Sequence, residues 1–378
     1  MPLVAHNELP TFARLAGEGQ EVLGRERAVH QDIRELHVGL LNMMPDAALQ
    51  ATERQFMRLV GACNRIAQFY VHPFTIPGIE RAGAAREHVA RHYEPVEKVM
   101  EEGLDALIIT GANVTEPDIT REVFWKPLTA IMDWALASVA STMMSCLSSH
   151  SAFKHYYGID RNHLEEKQWG VYSHRVTVPG HPLVSGINTR FDTCHSRFND
   201  VPAWQLEEAG LQVLVESDEA GVLLAVGPDR FRQVFLQGHP EYDVESLLKE
   251  YKREIGRFVR GEREHYPPFP QHYFRAEAEA VLGPYKEAVQ AAVAHGREPP
   301  PLPEAEVMPL LDNTWADTGK AIFNNWLGLV YQVTNQDRGK PFMPGVDPND
   351  PLGLRAPCSP VPVPAPRQPR AAPPATST

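Results

Sequence analysis

The sequence predicts an α/β protein with a mostly parallel sheet flanked by helices. In the first 160 residues, short apolar stretches alternate with stretches of helical period. The stretch 104–111 is a continuous apolar run that ends in glycine, as expected for a strand buried on both faces. Strands that alternate with helices form a parallel sheet covered on both sides. In such sheets the active site lies beyond the carboxyl ends of the strands.

The elements follow in order along the chain. Predicted strands of the first half are 37–44, 66–73, 104–111 and 141–145, and predicted helices are 49–59, 95–103, 124–140 and 148–157. After Gly158, shorter strand patterns at 170–178, 211–216, 221–226 and 232–238 predict a more antiparallel second half of the same sheet. Amphipathic helices are predicted at 244–260 and 276–295.

Three regions are expected. Residues 1–35 are mixed and polar and predict an irregular N-terminal arm, and residues 36–335 predict a single domain that carries the chemistry. From residue 343 to 378 the composition is rich in proline and alanine. Such a segment cannot bury enough apolar surface to fold, so a disordered C-terminal tail is predicted.

Composition excludes several functional classes. The 378 residues carry 48 acidic and 36 basic side chains, a net charge of −12, with no basic stripe for nucleic acid. No apolar run is long enough to span a membrane, and the N-terminus lacks signal-peptide architecture. The four cysteines show no CxxC spacing, which predicts a reduced, cytoplasmic protein. The sixteen histidines form no metal-binding spacing motif, so no metal site is predicted.

Cys146 is the candidate nucleophile. It follows a β-branched and apolar stretch and opens a helical run, and this strand–turn–helix position exposes a nucleophile near backbone N–H groups. A thiol needs a base to become a thiolate, and His239 with Glu241 two residues later supplies a base and its orienting carboxylate. In an extended strand these two side chains face the same side. The pairing predicts covalent acyl chemistry.

Six short motifs extend this prediction, and in order and spacing they resemble those of the homoserine O-acyltransferases of methionine biosynthesis. The motifs are 41–45 (LNMMP), 110–112 (TGA), 170–172 (GVY), 195–198 (HSRF), 238–243 (GHPEYD) and 323–327 (FNNWL). The resemblance implies a class I glutamine-amidotransferase-like (flavodoxin-like) fold for the acyltransferase domain. It also implies ping-pong transfer of an acyl group from acyl-CoA to the hydroxyl of L-homoserine, with no bound cofactor and with a homodimer as the candidate assembly.

The resemblance assigns roles to individual residues. Cys146 takes the acyl group, His239 is the base and Glu241 orients it. Leu147 supplies an oxyanion N–H from its backbone. Substrate contacts are implied for Lys167, Ser196 and Arg253, and a guanidinium at Arg253 could hold the amino acid's carboxylate.

Donor choice in that family follows the position of Thr115. Glutamate there accompanies acetyl-CoA and glycine accompanies succinyl-CoA. Threonine is uncharged and does not repel a succinyl carboxylate, which favours succinyl-CoA, although Glu116 next to it is negatively charged.

Three departures from the family pattern leave alternatives open. Leu147 replaces the usual tryptophan, His150 the usual glutamine, and Asp46-Ala47 the usual lysine after the first motif. His150 could approach the same site as His239. The alternatives are the same chemistry on another acceptor such as serine, a glutaminase-like activity, and a non-catalytic ligand-binding relative.

Overall fold

The computed structural model of the protein describes residues 3–31, 33–63, 67–114 and 116–355. Its strands are β1 (Leu3–Ala5), β2 (Val22–Gly24), β3 (Glu35–Leu41), β4 (Gln68–Phe74), β5 (Ala106–Ile109), β6 (Ser141–Ser145), β7 (Asn162–Val176), β8 (Arg190–Asp200), β9 (Gln212–Ser217), β10 (Gly221–Val226) and β11 (Gln233–Leu236).

The helices surround this sheet. They are α1 (Pro10–Gly17), α2 (Arg25–Ala28), α3 (Leu49–Gly61), α4 (Gly83–His92), α5 (Val96–Glu102), α6 (Trp125–Ser138), α7 (Leu147–Tyr157), α8 (Ala203–Glu208), α9 (Ser246–Val259), α10 (Ala276–Ala294), α11 (Glu304–Val307) and α12 (Ala316–Val333). Single 3₁₀ turns lie at Ile119–Arg121, Pro182–Val184 and Met308–Leu310.

All the described strands belong to one sheet, in the order β2-β1-β4-β3-β5-β6-β11-β10-β9-β7-β8. The pairs from β2 through β11 are parallel. The pairs from β11 through β8 are antiparallel. The predicted α/β class is therefore confirmed, together with the parallel first half and the antiparallel second half.

Strand β5 shows how the sheet is buried on both faces. Ala106 and Ile108 belong to the hydrophobic cluster on one face, with Phe56 and Trp326. Leu107 and Ile109 belong to the cluster on the other face, with Leu128 and Phe153. This alternation follows the two-residue period of a strand. A third cluster packs α9 and α10 against the antiparallel end, around Trp169, Tyr251 and Trp315.

Two predictions about the chain ends were wrong. The N-terminal arm is not irregular, because its strands β1 and β2 extend the parallel edge of the sheet and its helix α1 packs Phe12 and Leu15 into the core. The tail does not leave the core at residue 343, since Val346 and Leu352 pack against it. The rest of the predicted disordered tail, residues 356–378, lies outside the described residues.

The sequence patterns also missed β8, α4 and α12, which lie in segments assigned no regular element. In the described part of the chain, no helix is long and apolar enough to cross a membrane.

Candidate active site

Cys146 occupies a sharp turn between β6 and α7. Its φ of 54° and ψ of −113° are unfavourable for a residue with a side chain. The turn is held in place because the Cys146 N–H donates to the Leu236 carbonyl at 2.6 Å, across the parallel β6–β11 pair. Ser149 donates to the Met144 carbonyl at 2.7 Å and reinforces the same corner. The predicted strand–turn–helix setting of Cys146 is what the structure contains, and its side chain is half-buried.

The backbone N–H of Leu147 directly follows the thiol residue in the chain. Leu147 is the first residue of α7, where helix geometry leaves the N–H without an intrahelical acceptor. Gly111, two residues after strand β5, lies opposite Cys146 and Leu147. A Cβ added to Gly111 would come 3.6 Å from Cys146 Cβ and 3.9 Å from Leu147 N. The absence of a side chain at Gly111 therefore keeps the space above the thiol and this N–H open.

His239 and Glu241 form the expected pair, with Nδ1 of His239 2.8 Å from Oε1 of Glu241. The prediction that both residues lie on one extended strand was wrong. Strand β11 ends at Leu236, His239 makes only an isolated bridge to Cys194, and Glu241 lies in a turn. A turn, not the side-chain alternation of a strand, brings the two side chains together.

The electrostatics of His239 favour its charged form. Burial acts to lower the pKa of His239, but the negative charges of Glu241 and Cys146 and hydrogen bonds to both outweigh it. The pKa of His239 therefore lies well above its ordinary value. Among the described residues, the second carboxylate oxygen of Glu241 has no hydrogen-bond partner, so its charge is offset mainly by the imidazolium.

The turn that carries this pair is anchored from two sides. Asp243 accepts a hydrogen bond from Arg54 on α3 at 2.7 Å and also pairs with Arg58. From the C-terminal region, Trp315 donates its indole N–H to the Tyr242 carbonyl at 2.8 Å. At Gly319, on α12, an added Cβ would lie 2.7 Å from the Pro240 carbonyl oxygen, so only glycine allows this close approach.

Lys167 and Ser196 meet at one carboxylate that the sequence patterns did not single out. Oε2 of Glu250, on α9, accepts from Lys167 Nζ at 2.9 Å and from Ser196 Oγ at 2.6 Å. Burial acts to raise the pKa of Glu250, but the Lys167 charge and these hydrogen bonds outweigh it, so the pKa is lowered and the carboxylate stays charged.

Arg253 and Tyr242 complete the group around Glu250. Nη2 of Arg253 is 3.9 Å from Oε2 of Glu250 and its Nε is 3.6 Å from Oε1 of Glu254. Because the Arg253 side chain is 59% exposed, it can turn from these carboxylates towards a ligand. Tyr242 donates its hydroxyl to Oε1 of Glu250 at 2.8 Å. The ring of Tyr242 stacks on His239 with centroids 4.3 Å apart, which joins the Glu250 group to the Cys146 site. The structure therefore brings all three predicted substrate-contact residues together.

His150 does not share the site with His239. Its Nε2 lies 2.8 Å from Oε1 of Gln237, which is itself bonded to the backbone of Val201. Burial lowers the pKa of His150 to about 3, so it is a neutral donor to that amide. The departure at His150 affects core packing behind the nucleophile.

Thr115 lies outside the described residues. The segment just after it contacts Arg161, which donates from Nη2 to the carbonyls of Glu116 at 3.4 Å and Pro117 at 3.3 Å. Burial lowers the pKa of Arg161, while Glu122, Cys146 and Asp118 act to raise it. Arg161 is thus a partly buried cation beside the segment of Glu116 and Pro117, and it interacts electrostatically with Cys146.

No metal ligand set occurs among the catalytic candidates. In the part of the chain that the structure describes, one group of His and Glu side chains is close enough to share a metal ion, namely His6, His72 and Glu94. None of these three contributes to the Cys146 site.

Fold and site together define an α/β protein with a cysteine, a histidine and a glutamate at the carboxyl edge of a parallel sheet. The chain matches the family model for homoserine O-succinyltransferase over residues 2–336. It is 61% identical to a homoserine O-succinyltransferase of Methylococcus capsulatus, over 94% of this chain and 100% of that protein. It is 59% identical to a homoserine O-succinyltransferase of Allochromatium vinosum, over 94% of this chain and 99% of that protein.

The chain therefore belongs to the homoserine O-succinyltransferase family, which confirms the resemblance and the expectation of an acyltransferase. Similar solved structures include a glutamine amidotransferase from Methylobacillus flagellatus. It is 11% identical with a TM-score of 0.42, covering 79% of this chain and 95% of that one.

Proposed function

We propose that this protein transfers the succinyl group of succinyl-CoA to the hydroxyl of L-homoserine, through a thioester on Cys146, in methionine biosynthesis. The observation that carries the proposal is the set of contacts around Cys146, a nucleophile at positive φ with a hydrogen bond to the His239–Glu241 pair. Relatives named homoserine O-succinyltransferase at 57–61% identity support the same reaction.

In the first half-reaction, the Cys146 thiolate attacks the thioester carbonyl. The Leu147 N–H stabilises the oxyanion, and one such donor typically contributes about 10²–10³ in rate. When the tetrahedral intermediate collapses, the bond to the CoA sulfur breaks and the His239 imidazolium gives its proton to that sulfur. Free CoA leaves a succinyl thioester on Cys146 and a neutral His239.

In the second half-reaction, neutral His239 takes the proton of the homoserine hydroxyl as its oxygen attacks the thioester. The new ester bond forms and Cys146 departs as a thiolate. The proton stays on His239, so the starting charge pair is restored without solvent. Glu241 keeps Nδ1 of His239 protonated and directed away from the reacting atoms.

Homoserine carries an ammonium group and a carboxylate, and the Glu250 group offers complementary charges. The half-exposed Arg253 guanidinium suits the carboxylate, while Glu250 suits the ammonium. Lys167 and Ser196 fix the Glu250 carboxylate in one orientation. Because Tyr242 links Glu250 to His239, the amino acid would bind with its hydroxyl near the base.

The donor is succinyl-CoA in this proposal because a cation lies beside the loop that follows Thr115. The Arg161 guanidinium can pair with the free succinyl carboxylate, which acetyl-CoA lacks. We also expect a cytoplasmic enzyme without a bound cofactor, acting on small molecules, with a homodimer as its candidate assembly.

The test is a matrix of two donors, succinyl-CoA and acetyl-CoA, against homoserine, serine and water as acceptors. CoA release is followed as free thiol, with C146S as the blank for each cell. The proposal expects the fastest release with succinyl-CoA and homoserine. CoA release no greater than that of C146S for every donor and acceptor pair would exclude acyl transfer. A faster rate with serine than with homoserine would exclude homoserine as the preferred acceptor.

A further inference from the structure

A group of imidazoles and one carboxylate lies outside the catalytic site, near the parallel edge of the sheet. His6 follows β1, His72 is on β4, and Glu94 lies between α4 and α5. One ligand atom from each lies within 4.8 Å of the other two. These distances allow a single ion to contact all three side chains.

The hydrogen bonds of His6 identify Nε2 as the nitrogen that can bind a metal, in place of one exposed hydrogen bond. Its Nδ1 is 3.2 Å from the Val4 carbonyl, which only accepts, so Nδ1 carries the hydrogen. Its Nε2 then has the lone pair, and the Asn7 side-chain nitrogen 3.3 Å away donates to it. A histidine whose second nitrogen donates to a backbone carbonyl is oriented as metal-binding histidines usually are.

His72 also has a partner for its second nitrogen. Nδ1 of His72 faces Oε1 of Glu94 at 2.6 Å, and its Nε2 lies 2.8 Å from Nδ1 of His37. If Nδ1 binds an ion, the proton moves to Nε2, which then donates to His37. The Nε2 of His37 in turn lies 3.6 Å from a carboxylate oxygen of Glu35. The partner that the Nε2–H of a metal-binding His72 needs is therefore in place.

Burial and charge suit a divalent cation. His72 is 7% exposed, while His6 and Glu94 are half-buried. An ion can therefore enter from solvent and, once bound, be largely shielded from water. Glu94 is bound on its other oxygen by Lys98 at 2.9 Å, and Lys98 is 51% exposed and can move to solvent. Two imidazoles and a carboxylate form a donor set typical of zinc, with water completing the coordination.

We propose that His6, His72 and Glu94 bind one Zn²⁺ ion, which fixes the N-terminal strand β1 to β4 and to the α4–α5 junction. The site lies apart from the reacting atoms. Strand β4 is separated from β6, which leads to Cys146, by β3 and β5, a distance of about 14 Å at ordinary strand spacing. A bound ion there cannot reach the reacting atoms.

The experiment uses the full chain without a histidine tag, stripped with a chelator and titrated with Zn²⁺ by calorimetry. Thermal unfolding is followed with and without Zn²⁺. The variants are H6N and E94Q, and H163N on β7 is the control because His163 is exposed and remote from the cluster. Each variant's far-UV spectrum is compared with the parent.

The expected result is one Zn²⁺ per chain and a higher Tm on addition of Zn²⁺. Affinity should fall about tenfold or more in both H6N and E94Q and stay unchanged in H163N. CoA release should be equal with and without Zn²⁺. No stoichiometric binding, or binding that survives either substitution, would overturn the proposal. These outcomes do not depend on which acyl group the enzyme transfers.

Discussion

The ring of Tyr242 lies nearly parallel to the imidazole of His239, with centroids 4.3 Å apart and planes inclined by 17°. The Tyr242 hydroxyl reaches the other way and donates to Glu250 at 2.8 Å. One side chain therefore joins His239 to the carboxylate that binds Lys167 and Ser196. In the proposed mechanism, this connection holds the acceptor site at a fixed position relative to Cys146.

Substitutions of Tyr242 separate its two contacts. Y242F keeps the stack and loses the hydroxyl, so we expect a higher KM for homoserine with little change in kcat. Y242A loses the stack as well, and kcat should fall because His239 is no longer packed in place. Steady-state kinetics for both variants test this, and equal kcat values in Y242F and Y242A would contradict a role for the stack.

E250Q removes the charge that Lys167 and Ser196 bind. Hydrogen bonds to a charged group contribute about 1.5–3 kcal/mol, so KM for homoserine should rise about tenfold to a hundredfold while KM for succinyl-CoA changes little. The control is E245Q at the start of the same helix, because the Glu245 carboxylate pairs with the exposed Lys249. A matched rise in both KM values would place Glu250 outside the acceptor site.

E241Q changes the pH dependence of the thiol's reactivity. Glu241 raises the pKa of His239, so its neutral replacement lowers that pKa, and the imidazolium is lost at a lower pH. Above that pH the Cys146 thiolate has no cationic partner. In iodoacetamide alkylation between pH 5.5 and 8, the parent should react faster than E241Q, with the largest ratio where only the parent keeps His239 protonated. A pH-independent ratio would argue against this charge pair.

H150Q tests the assignment of His150 to the core. The pKa of His150 is lowered to about 3 in the folded protein, so below pH 6.5 the unfolded chain binds a proton that the folded chain does not. Stability is therefore lost as the pH falls, by about 1.4 kcal/mol per unit for one group. From pH 7 to 5, urea unfolding should show H150Q gaining about 2 kcal/mol relative to the parent. Activity at pH 7.5 should be retained in H150Q. Loss of activity would mean that His150 takes part in the reaction.

R161Q tests the choice of donor. Loss of an arginine–carboxylate pair should lower kcat/KM for succinyl-CoA about tenfold to a hundredfold and leave acetyl-CoA nearly unchanged. R161K keeps the charge and should give an intermediate value. An equal decrease for both donors would mean that Arg161 supports the loop at Glu116 and Pro117 and does not read the acyl group.

The sequence was most informative where local pattern and chemistry coincide. Strand β6 and helix α7 flank Cys146 as predicted, since an apolar run before the thiol and a helical period after it are local signals. Strand β8 was missed because two of its buried residues, His195 and Arg197, are polar. Nε of Arg197 donates to Nδ1 of His195 at 3.2 Å, and these polar residues interrupt the apolar–polar alternation expected of a strand.

The remaining features depend on contacts distant in the chain. Glu250 looked like one more charge on an amphipathic helix, and only folding brings it to Lys167, 83 residues earlier. The His6, His72 and Glu94 group has no spacing motif for the same reason. The His239–Glu241 pair was predicted correctly, but on the assumption that both residues lie on one strand, whereas the strand ends at Leu236.

In the proposed mechanism, Cys146 carries the acyl group between two half-reactions. Incubation with succinyl-CoA alone, followed by acid quenching and peptide mass spectrometry, should find one succinyl group on the peptide that contains Cys146. Addition of homoserine before the quench should remove it. Turnover in the full assay with no succinyl group on Cys146, or with a succinyl adduct that homoserine does not remove, would contradict this mechanism.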